Sequence, residues 1–209
     1  MDKVIYCIRH GQTDYNKNGI VQGSGVDSDL NEIGQLQAQQ FHSFYNNQID
    51  FDLIIHSTLK RTRQTISPWL LSDIPTLSDE RINEMSWGDA EGQKGTAESV
   101  VLYKSIVDQW SQGNLDVGIN NGETAADLRR RMISFVQDLK SRTEKSILLC
   151  SHGRAMRGLI CALLDQPFSN MESYNISNVG LYKVVQKSAT FTILSHNDTS
   201  HRTPLNFYA

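Results

Sequence analysis

Two short segments of this sequence share one design. An apolar run from Val4 to Ile8 leads into Arg9-His10-Gly11, and another, Ser146 to Cys150, leads into Ser151-His152-Gly153. Ligands of open α/β sheets bind at the carboxyl ends of the strands, so each pattern predicts a histidine at the mouth of a sheet. An arginine there forks onto two oxygens of an oxyanion, and the glycine lets backbone N–H groups approach closely. A helix opening at Gly153 would leave further N–H groups free for an anion. A third run, Asp52 to His56, is followed by Lys60-Arg61-Thr62-Arg63 and sets Arg61 in a comparable place. Lys60 and Arg63 read equally well as a solvated helix face. Two arginines and two histidines, with no local cluster of opposite charge, suit a phosphate dianion. Paired histidines also suggest a metal. Arginine, however, repels a divalent cation, and no HxH, HExxH or CxxC spacing accompanies the pair. Neither GxxxxGK[ST] nor GxSxG occurs, which leaves nucleotide P-loop and serine-hydrolase readings without support.

The elements that must position these residues follow from periodicity. Residues 3–8, 52–56 and 146–151 read as buried strands, and residues 178–185 and 189–194 as a closing β-hairpin. Helices are predicted over 31–46, with Asn31 as N-cap and Ile33, Leu36, Phe41 and Phe44 facing inward, over 59–71, over 122–142, and from Gly153 to about Leu164. In the third of these, Ala125, Leu128, Met132, Phe135, Val136 and Leu139 form one stripe, and Arg129, Arg130 and Arg131 read as a solvated face. Strands alternating with helices predict an α/β class: a three-layer α/β/α sandwich on a mostly parallel sheet. The stretch 87–121 is polar and Gly-rich around one amphipathic piece, Val100 to Trp110. It reads as a small lid insertion within a single domain spanning 1–209, with Trp87, Tyr103 and Trp110 more core than substrate contact.

Composition narrows the partners. The 209 residues carry Lys+Arg 20 against Asp+Glu 23, a net charge of −3, so no bulk attraction to nucleic acid or anionic membrane is expected. No apolar run is long enough to span a bilayer, and the N-terminus lacks the pattern of a signal peptide. Cys7, Cys150 and Cys161 are odd in number and scattered, which predicts reduced thiols in a cytoplasmic protein. The oligomeric state, monomer or homodimer, is left open.

Several separated motifs then resemble a known family. Arg9-His10-Gly11 with Thr13 and Asn16, Leu59-x-Arg61-Thr62-x-Gln64-Thr65, Glu84 before Gly88-x-x-Glu91-Gly92, Gly122-Glu123-Thr124 and Ser151-His152-Gly153 stand in the order of the histidine phosphatase superfamily. The similar branch is the first, which contains phosphoglycerate mutases and related phosphatases. The resemblance implies that His10 is the nucleophile and becomes a phosphohistidine. It implies that Arg9, Arg61 and His152 bind the phosphate oxygens, with Asn16 as a further donor and Gly153 beside them. Glu84 would give the leaving oxygen its proton, and Gln22 and Gly23 match a position near the substrate. Neither metal nor cofactor is implied. The sequence departs from the family pattern at Gln12, where a Glu is common, at Thr58, usually Pro, and at Ala90, usually Trp. Arg154 and Arg157 add positive charge near the mouth.

These residues lead to a metal-independent phosphomonoesterase acting on a small phosphorylated metabolite. A cofactor-dependent phosphoglycerate mutase is the alternative. It would need to keep the phosphohistidine dry and to grip a substrate carboxylate, for which 87–121 supplies only Lys94 and Lys104. A non-catalytic phospho-ligand sensor would be expected to have lost His10 or Glu84, and both are present.

Overall fold

The computed structural model describes residues 2–202. In chain order the elements are β1 (Lys3–Arg9), α1 (Asp14–Asn18), α2 (Glu32–Tyr45), β2 (Leu53–His56), α3 (Lys60–Ile66), β3 (Thr76–Ser78), α4 (Ala97–Ser111), α5 (Ala125–Ser141), β4 (Ser146–Ser151), α6 (Gly153–Leu163), β5 (Leu181–Lys187) and β6 (Thr190–Asp198). They build a six-stranded sheet in the order β3-β2-β4-β1-β5-β6. The pairs β3/β2, β2/β4 and β4/β1 are parallel, and β5 and β6 add an antiparallel edge.

Alternation along each strand sends successive side chains to opposite faces, and helices cover both. Ile5 and Cys7 of β1, with Leu53, Ile55, Ile147 and Leu149, pack under α5 and α6. Tyr6 and Ile8, with Ile54, Leu148 and Cys150, pack under α2 and α3. The three-layer α/β/α architecture read from the sequence is the one observed.

Four local expectations are corrected. The helix from residue 59 ends at Ile66, because Pro68 cannot continue it, and a 3₁₀ turn over Ser67–Trp69 follows. β3, a three-residue edge strand, was not predicted. In α2 the inward stripe is Gly34, Ala38, Phe41 and Tyr45, whereas Leu36 and Phe44 are largely exposed. A Cβ at Gly34 would lie 2.0 Å from the Gln12 carbonyl oxygen, so the close approach of α2 to the loop after β1 selects small residues over larger apolar ones. Asn31 does cap this helix, accepting from Gly34 N–H at 2.9 Å. Finally, Arg131 is not solvated, as its partners below show.

Candidate active site

β1, β4 and β2 lie side by side, with Arg9 opposite Ser151 and His56 opposite Cys150. This register brings His10, His152 and Ser57, each the residue just past its strand, to one end of the sheet. The rings of His10 and His152 are 5.1 Å apart.

His10 is buried, and its Nδ1 lies 2.7 Å from the Gly11 carbonyl oxygen. A carbonyl can only accept, so Nδ1 carries the hydrogen and Nε2 keeps its lone pair. Burial, then the positive charges of Arg9 and Arg61, hold the His10 pKa well below its ordinary value, which keeps the imidazole neutral. His152 is held differently. Arg61 Nε donates to His152 Nδ1 at 3.1 Å, so Nε2 carries the hydrogen, 2.7 Å from Ser57 Oγ. Burial and Arg61 likewise depress the His152 pKa.

Arg61 is fully buried, and it is braced by carbonyls rather than carboxylates. Its Nη1 donates to Val26 O at 2.6 Å and its Nη2 to Gly23 O at 3.1 Å. With its amide oxygen turned toward Arg61, Gln22 accepts from Nε at 2.7 Å and donates to Thr13 Oγ1 at 2.7 Å. Gln22 and Gly23, expected near the substrate, thus reach the site by holding Arg61. Burial lowers the Arg61 pKa to about 10, still far above neutrality. Arg9 donates from Nη1 to Ile176 O at 3.1 Å, and its buried Nε has no partner among the described residues. Among the described residues, neither Arg9 nor Arg61 has a carboxylate within ion-pair distance.

Glu84 is buried and caps α6 from a distance. Oε1 accepts from Met85 N and Ala155 N, both at 2.9 Å, and Oε2 from Arg154 N at 3.1 Å. The N-terminus of α6 therefore receives this carboxylate at Arg154 N and Ala155 N, so these two N–H groups, expected to be free, are not open to an outside anion. The same correction applies at Gly11. Its N–H is taken by Thr65 Oγ1 at 2.9 Å, and a Cβ there would meet the Gly34 carbonyl oxygen at 2.5 Å. Gly153 sits between the Arg9 and Glu84 side chains, since a Cβ there would lie 3.6 Å from both Arg9 Cζ and Glu84 Oε2. Asn16 Oδ1 faces Thr13 N and Asn178 Nδ2, each at 3.3 Å.

The loop carrying Glu84 is fixed by residues the sequence reading missed or misplaced. Arg131 pairs bidentately with Glu123 at 2.8 and 2.9 Å, and its Nη1 donates to Arg81 O at 2.6 Å and Asn83 O at 2.8 Å. No helical spacing sets it apart: Arg129, four residues past Ala125 and three before Met132, borders the same buried stripe of α5, yet it is exposed, and only the partners across the chain distinguish Arg131. Ser151 Oγ donates to Ile82 O at 2.8 Å. Thr58, where the family often has Pro, uses the N–H that Pro lacks to reach Asn83 Oδ1 at 2.9 Å. On the far side, Val179 N donates to Arg9 O at 2.9 Å and Asn178 Nδ2 to His10 O at 3.0 Å. Val179 holds a left-handed φ of 53°, a costly conformation for a β-branched residue.

Two further expectations change. Gln12 accepts from Asn31 Nδ2 at 3.0 Å at the start of α2 and is committed there. The Arg154 guanidinium is not free at the mouth. It is buried, bonded to Glu172 and the Tyr103 hydroxyl, and its guanidinium lies 5.3 Å from the Trp110 ring centre. Arg157 shares Glu172. Trp87 and Trp110 are buried as expected, but Tyr103 is 37% exposed.

Residues 5–199 match the histidine phosphatase superfamily (branch 1). The chain belongs to this superfamily. It is 33% identical, over 94% of each chain, to a protein of Schizosaccharomyces pombe described as a probable phosphatase. It is 28% identical to a 2,3-bisphosphoglycerate-dependent phosphoglycerate mutase of Mesorhizobium japonicum, over 93% of this chain and 97% of the relative. Among solved structures, the alpha-ribazole phosphatase from Shigella flexneri superposes with a TM-score of 0.78 at 25% identity, covering 93% of this chain and 96% of the other. Membership in a histidine phosphatase superfamily, together with a phosphatase-named relative, supports a phosphatase. Among the described residues, no helix is long and apolar enough to cross a membrane.

Proposed function

We propose that the protein is a metal-independent phosphomonoesterase that transfers the phosphoryl group of a small phosphorylated metabolite to His10. One observation carries this reading. His10 Nε2 keeps its lone pair because Nδ1–H is bonded to Gly11 O, and beside it stand Arg9 and Arg61, two guanidiniums with no carboxylate at ion-pair distance among the described residues. Neutral His10 attacks phosphorus through Nε2, forming the P–N bond as the ester P–O bond breaks. Arg9 offers its unpartnered Nε, and Arg61 the N–H bonds its carbonyl braces leave, to the charge on the transferring group. Asn16 and His152 complete the ring of donors, His152 through the Nε2–H now shared with Ser57. Glu84 passes a proton to the departing alkoxide. It then takes one from the water that cleaves the phosphohistidine, and inorganic phosphate leaves. The segment 87–121 acts as a lid within a single domain. Free, buried Cys7, Cys150 and Cys161 suit a reducing compartment such as the cytoplasm.

The test is phosphate release from a panel of monoesters in EDTA, with His10→Ala protein alongside. Release by the native protein and none by the variant is the expected result. Equal release by both overturns the role of His10. Isomerisation of 3-phosphoglycerate without net release moves the reading to the mutase, and silence on every ester, with phosphate still bound, to the sensor.

A further inference from the structure

Beside the phosphate site lies a cavity of about 860 Å³ with no part in the chemistry derived above. One wall is a narrow pairing of residues 20–22 with 92–94, in which Val21 N donates to Gln93 O at 3.0 Å and Gly92 N to Val21 O at 2.9 Å. The opposite wall is α4. The two sites share Gln22, which lines the cavity and whose amide oxygen faces Arg61 Nε. From the proposed hydrolase reading, on which this rests, we infer that the cavity receives the alcohol part of the ester, and that this alcohol is uncharged and carries a ring or a comparable apolar body.

The lining supports that chemistry. Val21, Trp87, Ala90, Val100, Tyr103 and Ile119 supply most of an apolar wall, and Ala90 contributes only a methyl group where a larger side chain would fill the space. Val100, 46% exposed on α4, is an apolar residue left open to solvent, and this cavity is what it faces. The volume lies within the range of small-molecule sites and far exceeds the needs of a glycerol-sized alcohol.

Charge argues in the same direction. A carboxylate or a second phosphate on the alcohol would need an excess of cations over acids in the lining. Lys94 and Asp89 are the charged lining residues, one of each sign, and Asp89 is further engaged by Asn121 Nδ2 at 2.8 Å. The nearby Arg154 does not line the cavity, its guanidinium being bonded to Glu172 and the Tyr103 hydroxyl under the Trp87, Tyr103 and Trp110 rings.

The experiment is calorimetric titration of His10→Ala protein, which needs no turnover, with benzyl phosphate, 3-phosphoglycerate and inorganic phosphate. Benzyl phosphate is expected to bind about tenfold or more tightly than the other two. Ala90→Trp, and separately Val100→Asp at an exposed position that tolerates charge, should each abolish that preference on the same background. A benzyl phosphate no tighter than inorganic phosphate, or a tighter 3-phosphoglycerate, overturns the inference, as does a preference untouched by both variants. Tight benzyl phosphate binding without hydrolysis by the native protein would sustain the cavity's role and remove the hydrolase.

Discussion

Glu84→Gln keeps the side chain's shape and removes its charge, and the structure separates its two consequences. The carboxylate accepts three backbone N–H groups, two at Oε1 and one at Oε2. Glutamine has one acceptor oxygen. Set at the Oε1 position it keeps two bonds, and its NH₂ then faces Arg154 N–H, donor against donor. The loss is one hydrogen bond to a charged group, about 1.5–3 kcal/mol, and the favourable placement of an anion at the start of α6, about 0.3–1 kcal/mol. Unfolding in urea should therefore show a destabilisation of about 2–4 kcal/mol. Loss of the proton donor should slow phosphorylation by an alkyl phosphate about 10²–10⁴-fold. An aryl ester such as 4-nitrophenyl phosphate leaves as a stable phenolate and needs little proton help. Its first-turnover phosphorylation, measured by rapid quench, should fall far less. An equal fall for both esters would refute the acid role and leave Glu84 as a helix cap. An unchanged stability would refute the capping argument.

Two other outcomes follow. Arg131→Met leaves Glu123 and the carbonyls of Arg81 and Asn83 unpaired at a partly buried site. It should cost about 2–4 kcal/mol in urea and lower kcat with the Glu84 loop loosened, whereas Arg130→Met, at an exposed pair with Asp127, should change stability by less than about 0.5 kcal/mol. Equal costs for the two variants would show that Arg131 is a surface residue after all. Acid should destabilise the protein before any carboxylate titrates. His10 and His152 have folded pKa values well below 6.5, and His201 falls to about 4, so the unfolded chain binds more protons. Stability is complete above pH 6.5 and declines as the pH falls toward those depressed values, by up to about 1.4 kcal/mol per pH unit for each histidine. Urea midpoints that stay level from pH 7 to pH 5 would contradict the neutral imidazoles.

What the sequence made legible was local. A strand, its terminal Arg or Ser, a His and a Gly are consecutive, so Arg9, His10, Ser151 and His152 could be placed from short-range pattern alone. The parallel register then brought them together. What stayed hidden was decided across the chain. Ser57 meets His152 and Asn178 meets the His10 carbonyl only because β2, β4 and β1 align and the 178–179 turn folds back on β1. In α2, hydrophobicity ranks Leu36 above Gly34, while the fold ranks by available space. The α6 N–H groups end on Glu84, a capping carboxylate far away in sequence that no local pattern reveals.

The arginines show why motif content alone could not separate binding from scaffolding. Arg9, Arg61, Arg131 and Arg154 all lie at or near the site, and burial does not sort them, since Arg61 and Arg154 are both buried. Their partners do. Arg131 and Arg154 end on the carboxylates of Glu123 and Glu172, so both are held by acids within the protein. Arg61 is fixed by the carbonyls of Gly23 and Val26 and by an imidazole, and Arg9 by one carbonyl. Neutral acceptors orient a guanidinium without cancelling its charge. In the proposed reading a phosphoryl group completes this site, because among the described residues neither guanidinium has a carboxylate at ion-pair distance beside the neutral imidazole.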